Sequence, residues 1–268
     1  MEKVRLDVLL VERGLAESRS QAQRLVMAGQ VRVDGEVILH SSASISSDVS
    51  VKVEHGPRFV SRGGEKLAAA LVAFAPGVSA AGRVCADVGA STGGFTDCLL
   101  QNGVARVYAI DVGKGILDWK LRNDQRVVVI EGSNARFIDR LPEPVNLVTV
   151  DVSFISLKII LPVVIGWAPL AHAAPHLSVI ALVKPQFEAG RQQVGRGKGV
   201  IRDPIIHRQV LTEVLEFSNQ VGYAVCGLIR SPLTGPKGNT EFLAWLEIPG
   251  KPSTSIETMI DTVVPVID

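Results

Sequence analysis

The sequence predicts an α/β chain, with a mostly parallel sheet covered by helices on both faces and a small α+β domain in front of it. Three observations carry this expectation. From Arg83 onward, apolar strand-like runs alternate with helical patterns, which is how a parallel sheet with crossover helices is written. The first 54 residues read instead as helix, helix and short strands. Between the two lies HGPRFVSRGGEK, from His55 to Lys66, with the glycines, proline and charge of a connection. The expected division is a small domain at 1–55, a linker at 56–62, a large domain at 63–249 and a tail at 250–268.

In the small domain, RLDVLLVERG has apolar residues at helical spacing and stops at Gly14. Ser18 is placed to cap a second helix, SRSQAQRLVMAG, in which Ala22, Leu25 and Val26 face a core and Gly29 ends the run. VRVDGEVI follows as two short strands across an Asp34-Gly35 turn. This pattern, with VRVDG after the glycine, resembles the S4 RNA-binding domain over about residues 4 to 54. The resemblance implies that the second helix and the adjoining strand lie on folded RNA. It offers Arg19, Gln23, Arg24 and Arg32, with Arg5 nearby, to phosphates and riboses. A solvated charged helix face is the plainer reading of the same residues.

In the large domain the expected strands are RVCADVG, RVYAID, VVVIE, NLVTVD and LSVIALVK, with helices from about 94, at 156–167 and from Pro204. Two final strands are YAVCGLIR and TEFLAWLEI, and the tail beyond Pro249 has room for a short helix. Ile159 to Val183 contains no Asp, Glu, Lys or Arg. Its prolines at 162, 169 and 175 and its helical-then-β character argue against a membrane span.

The composition narrows the function classes. At 47% hydrophobic the chain can bury a sizeable core. Three cysteines, at 85, 98 and 226, are too far apart for a CxxC metal or redox pair, so no metal site is expected. The N-terminus shows no export signal, which points to a cytoplasmic protein. A net charge of +1 gives no global sign of a nucleic-acid binder, so any footprint is local. Residues 184–202 supply one: Lys184, Arg191, Arg196, Lys198 and Arg202 face a single acid, Glu188.

DVGASTGGF, from Asp87 to Phe95, falls where the first strand of the sheet turns into a helix, and so brings backbone amides to a ligand. Gly89, Gly93 and Gly94 allow close approach, with Ser91, Thr92 and Phe95 beside them. Asp111, at the second strand end and 22 positions beyond Gly89, is placed for two ribose hydroxyls, which fits NAD and S-adenosylmethionine equally. The turn lacks the compact GxGxxG spacing that presses a helix N-terminus on a pyrophosphate, which favours S-adenosylmethionine. Asp87 and the backbone at Gly89 then face its sulfonium and amino-acid end. Asn134 is placed either beside the adenosine or as a turn residue.

Four polar residues stand at expected strand ends or at the domain boundary: Lys66 in SRGGEKL, Asp151 in VDVSFISL, Lys184 in ALVKPQFE and Glu241 in GNTEFLAWL. Each alone reads as a surface charge. Together, and in this order, the motifs resemble the FtsJ-like methyltransferases, S-adenosylmethionine-dependent enzymes with a Rossmann-like sheet. With the S4-like domain in front, residues 4 to 248 resemble the TlyA proteins, often named hemolysins. The resemblance implies a Lys-Asp-Lys-Glu tetrad that methylates a ribose 2′-hydroxyl, of cytidine, in ribosomal RNA or ribosomal subunits. Arg62, Arg191, Arg196 and Lys198 join the expected RNA contacts. Lysine amines are mostly protonated at neutral pH, so Lys184 stays open between taking the hydroxyl's proton and orienting it by hydrogen bonding. Two other classes compete: a membrane-active hemolysin, and a non-catalytic RNA-binding protein that keeps the cofactor fold.

Overall fold

In the computed structural model, which describes residues 3–54, 56–169, 176–189, 199–252 and 254–265, the chain divides into two units, Met1–Arg58 and Phe59–Asp268. The break falls inside the expected linker. Residues 59–62 belong to the larger unit because Phe59 is buried there, against Gly64, and the Val60 amide donates to Asp97 Oδ2 at 2.9 Å.

The smaller unit runs β1 (Lys3–Arg5), α1 (Leu6–Glu12), α2 (Arg19–Met27), β2 (Val31–Val33), β3 (Glu36–Val37), β4 (Ser44–Ser46) and β5 (Val51–Val53). Its local signals act as the chain predicts. Gly14 and Gly29 end the helices with φ of 67° and 69°, and the Ser18 side chain accepts from the Gln21 amide. Asp34 and Gly35 take φ of 53° and 92°, the left-handed pair of a type I′ hairpin turn between β2 and β3. Leu6, Leu10, Ala22, Val26, Val31 and Val33 form the core. Two further pairings, β1 with β4 and β2 with β5, complete the unit.

The larger unit opens with α3 (Gly63–Ala73) and builds one seven-stranded sheet. Along the chain come β6 (Val84–Val88), α4 (Gly94–Gln101), β7 (Arg106–Asp111), α5 (Trp119–Arg122), β8 (Val127–Glu131), β9 (Leu147–Val150), α6 (Leu157–Ile165), β10 (Leu177–Val183), α7 (Pro185–Glu188), α8 (Pro204–Gln220), β11 (Ala224–Arg230), β12 (Phe242–Ile248) and α9 (Ile256–Val263). The sheet order is β11-β12-β10-β9-β6-β7-β8. From β8 to β10 the strands are parallel, while β12 inserts antiparallel between β10 and β11. Alternate residues serve opposite faces: Ala86 and Val88 enter the core beneath α6 and α8, whereas Cys85 packs with Leu67 of α3 and Leu99 of α4.

The uncharged stretch resolves as α6 and β10, and no helix among the described residues is long and apolar enough to cross a membrane. The tail is part of the larger unit as far as Val264, since Met259, Ile260 and Val264 are buried in its core.

This topology positions the site. The chain goes to one side of β6 for β7 and β8, then crosses back to β9 and β10, so loops after β6 and β9 diverge at a switch point where doubly wound sheets bind ligands. Reversal of β12 brings its first residues to that same edge, opposite the end of β10.

Candidate active site

A cleft of about 670 Å³ opens at this edge. Its wall includes the turn residues Gly89, Ala90, Ser91, Thr92, Gly94 and Phe95, together with Lys66, Asp151, Lys184 and Glu241. Four residues scattered over 175 positions are thus drawn into one cavity. Each arrives by a different element: Lys66 from the first turns of α3, Asp151 after β9, Lys184 after β10, and Glu241 just before β12.

They form two ion pairs. Lys184 Nζ lies 2.5 Å from Asp151 Oδ1 and donates to Ser153 Oγ at 3.1 Å. Lys66 Nζ donates to Glu241 Oε2 at 2.5 Å. Lys66, Lys184 and Glu241 are 8%, 9% and 1% exposed, so both pairs are largely shielded from water. Burying such pairs is close to break-even in stability, because desolvation offsets attraction. What the pairs define is geometry: the Asp151 charge and the Ser153 hydroxyl fix where the Lys184 amine sits in the cleft.

Glu188 joins the two loops that carry this chemistry. Its carboxylate accepts from Ser156 Oγ at 2.5 Å and from the Leu157 amide at 2.7 Å, capping α6 from α7. Burial raises its pKa, and the Ser156 and Leu157 bonds oppose that rise. Phe154 and Phe187 meet across the same loops with ring centroids 4.9 Å apart.

The glycine turn is built by packing. Gly89 takes φ of 84°, and a Cβ there would lie 2.3 Å from the Asp151 carbonyl oxygen, so the β6 and β9 loops touch only because the side chain is missing. Gly93 caps α4 in the left-handed region; it is not on the cleft wall, and its missing Cβ makes room for Leu121 and Leu117. Gly94 lets α4 lie against Ser61 and Gly64.

Besides Gly93, three expected ligand groups lie off the cleft wall. Asp87 is fully buried, and its carboxylate accepts from Thr96 Oγ1 at 2.7 Å and Thr149 Oγ1 at 2.9 Å, so it ties β6 to α4 and β9 from beneath. Burial pushes its pKa up to about 6, with the two hydroxyls opposing. Asp111 accepts from the amides of Ser91 at 2.8 Å and Gly113 at 2.7 Å, which fastens the glycine turn to the end of β7. Asn134 accepts from the Arg136 amide at 3.2 Å and acts as a turn residue.

Of the expected RNA contacts, Arg62 is exposed on the cleft wall. In the smaller unit Arg5, Arg19 and Gln23 all converge on Asp7, Arg32 donates to Glu54 at 2.7 Å, and Arg24 is exposed. Arg191, Arg196 and Lys198 lie outside the described residues. Other wall residues escaped sequence reasoning: Ser61, Ser153, Phe154, Gln186, Phe187 and Lys237 among them. Their signal was proximity to the quoted motifs, as in DVSF, KPQF and GPKGN. Phe154 is the plainest case, being 90% exposed with φ of 64°.

Comparison with known proteins places the chain in a family. The model of the FtsJ-like methyltransferases matches residues 59–248, and that of the S4 domain matches residues 4–46. The chain therefore belongs to the FtsJ-like methyltransferase family and carries an S4 domain ahead of its catalytic sheet. Among individual relatives, YqxC of Bacillus subtilis is 49% identical over 93% of this chain and 88% of its own. The 16S/23S rRNA (cytidine-2'-O)-methyltransferase TlyA of Mycobacterium tuberculosis is 43% identical over 97% of this chain and 96% of its own. A solved structure from Streptococcus thermophilus, described as a hemolysin, has a TM-score of 0.69 and 43% identity, with 98% and 96% of the two chains covered.

Proposed function

We propose that the chain transfers the methyl group of S-adenosylmethionine to the 2′-hydroxyl of a cytidine in ribosomal RNA, and that it does so in the cytoplasm. One observation carries the reading: Lys184, held by Asp151 and Ser153, stands in the same cleft as the glycine turn and the Lys66–Glu241 pair. The relatives that share both domains along nearly their whole length support the RNA target.

The cofactor fits the wall. A volume of about 670 Å³ suits a ligand of its size, since such pockets run roughly 300 to 1,000 Å³. The turn from Gly89 to Phe95 carries no charged side chain, as suits a ligand without phosphate. When bound, S-adenosylmethionine supplies a methyl group on an electron-poor sulfur. Gly89, Ser91 and Thr92 hold that ligand, and Asp111 fixes the turn from the end of β7.

The residues then divide the work. Lys184 orients the attacking hydroxyl and takes or redirects its proton, while Asp151 and Ser153 fix where the amine points. Lys66 and Glu241 brace the cleft as a second buried pair. Phe154, turned outward at the mouth, presents a ring on which an unstacked base can lie. The S4 domain docks folded RNA through Arg5, Arg19, Gln23, Arg24 and Arg32.

The test is transfer of labelled methyl from S-adenosylmethionine to ribosomal subunits and to naked rRNA, followed by mapping of the label. Label on the ribose of a cytidine is the expected result. Label on a base, or none, overturns the reading.

A further inference from the structure

The two ion pairs leave the reacting part of the cleft with no net charge. A polyanionic substrate must find cations elsewhere on the wall. Among the described wall residues there are two more, Arg62 and Lys237, and neither side chain forms an ion pair with a described residue.

Lys237 stands out by its backbone. It takes φ of 66° and ψ of 8°, in the left-handed region that disfavours any residue with a Cβ, although Gly235 and Gly238 flank it closely. The loop beneath it is held firmly. The Gly235 amide donates to the Asn239 carbonyl at 2.8 Å. Asn239, 2% exposed, accepts from the Ile201 amide and donates to the Gly199 carbonyl, both at 3.0 Å. Gly235 packs on Glu241 so closely that a Cβ would lie 2.1 Å from Oε1. An exposed lysine is thus carried, in an unfavourable conformation, on a braced loop that leads straight into the tetrad. A side chain kept at a strained position on a cleft wall is an outlier that calls for a functional account.

We propose that Lys237 binds a phosphodiester of the substrate RNA beside the ribose that Lys184 serves. This rests on the cleft being the site of RNA methylation. The ammonium donates to a phosphate oxygen and sets the register of the strand, without reading its sequence. Because the Lys237 loop packs on Glu241 directly, gripping the backbone there fixes the distance from phosphate to tetrad. Arg62, from the opposite end of the sequence of the unit, supplies the second cation.

The test uses the full chain, rRNA transcripts and labelled S-adenosylmethionine, with Lys237→Gly and Lys237→Arg. Glycine removes the cation and adopts the left-handed backbone without strain, so loss of folding does not confound the result. Lys237→Gly should raise KM for RNA about five- to tenfold, leave kcat and cofactor affinity within about twofold, and flatten the salt dependence by roughly one phosphate contact, a slope change of about 0.7. Lys237→Arg should stay within about twofold of the parent chain. An unchanged KM and salt slope in Lys237→Gly overturns the proposal, as does a loss confined to kcat or to cofactor binding. Should the parent chain transfer no methyl, the underlying reading fails, and filter retention of the same RNA decides Lys237 separately: equal affinity of the parent and Lys237→Gly overturns it, and weaker, less salt-sensitive retention supports it.

Discussion

The smaller unit and the catalytic unit both bury aspartates, and they treat them in opposite ways. Asp7 has no exposed surface, yet it lies shallow, under guanidiniums that are themselves half exposed. Arg5 grips it through Nε at 3.1 Å and Nη2 at 2.9 Å, Arg19 Nη2 approaches to 3.2 Å, and Gln23 Nε2 to 3.0 Å. Asp87 is equally covered, but its partners are the Thr96 and Thr149 hydroxyls and the Thr96 backbone, with no cation among them. The Arg5 hydrogen bonds, opposed by burial, hold Asp7 well below the usual carboxylate range, whereas burial pushes Asp87 up to about 6. Burial alone therefore does not decide the charge of a carboxyl; the cation supplied from elsewhere in the fold does. The cleft is an intermediate case, with one lysine for each acid. One carboxylate that gathers two arginines leaves a positive surplus for binding, while matched pairs leave a neutral place for chemistry.

The largest expected effect breaks a matched pair. Lys184→Ala should lower kcat for methyl transfer by about 10² to 10⁴, the usual range for a positioned proton-transfer group, with cofactor and RNA affinities changed little. Single-turnover kinetics beside calorimetry checks this. Near-parental turnover would remove Lys184 from the reaction, and a lost cofactor affinity would move it into the cofactor pocket.

A smaller effect tests the uncompensated aspartate. With a folded pKa of about 6 against roughly 3.9 unfolded, the native chain holds the extra proton between those values. Stability from this group is therefore greatest at low pH and declines as pH rises through the window from about 4 to about 6. Asp87→Asn lacks the titration. Urea unfolding should show the parent losing about 2 kcal/mol relative to this variant between pH 4 and pH 7. Parallel pH profiles would mean that Asp87 is ionised throughout.

The smallest effect concerns Asp7, and it separates charge from order. Asp7→Asn removes a negative charge beside two arginines, so simple charge counting predicts tighter RNA binding. If instead the carboxylate holds Arg5 and Arg19 in place, binding weakens by about threefold to tenfold, the equivalent of roughly 0.5–1.5 kcal/mol per side chain freed. Filter binding at fixed salt decides between the two. The depressed pKa carries its own sign: the stability that Asp7 lends is present above about pH 4 and is lost as pH falls toward its folded value, so Asp7→Asn should flatten the acid limb of unfolding.

Much of this molecule is written locally. Gly14, Gly29, Ser18 and the Asp34-Gly35 turn act through their own backbone preferences, so the helix ends and hairpin of the smaller unit appear where the residues indicate. The β6, β7, β9 and β10 runs, buried on both faces, read as continuous apolar segments for the same reason. Order along the chain was enough to nominate Lys66, Asp151, Lys184 and Glu241, since strand ends are legible from the pattern and the motifs are specific.

Partnership was not legible. That Arg5, Arg19 and Gln23 share Asp7 follows from packing of β1, α1 and α2, which brings together residues up to 16 positions apart. That Asp87 meets Thr96 and Thr149 depends on the neighbouring β9 and on the start of α4. Glu241 reaches Lys66 only because β12 runs antiparallel beside β10, and Lys237 reaches the wall through a backbone conformation its residue type disfavours. Periodicity, capping and turn chemistry act over one to four residues, and the sequence by itself determined those. Which acid meets which cation is set by distances that fall to a few ångströms only after the sheet is assembled, so tertiary structure alone decided the partner of each buried group and the shape of the site.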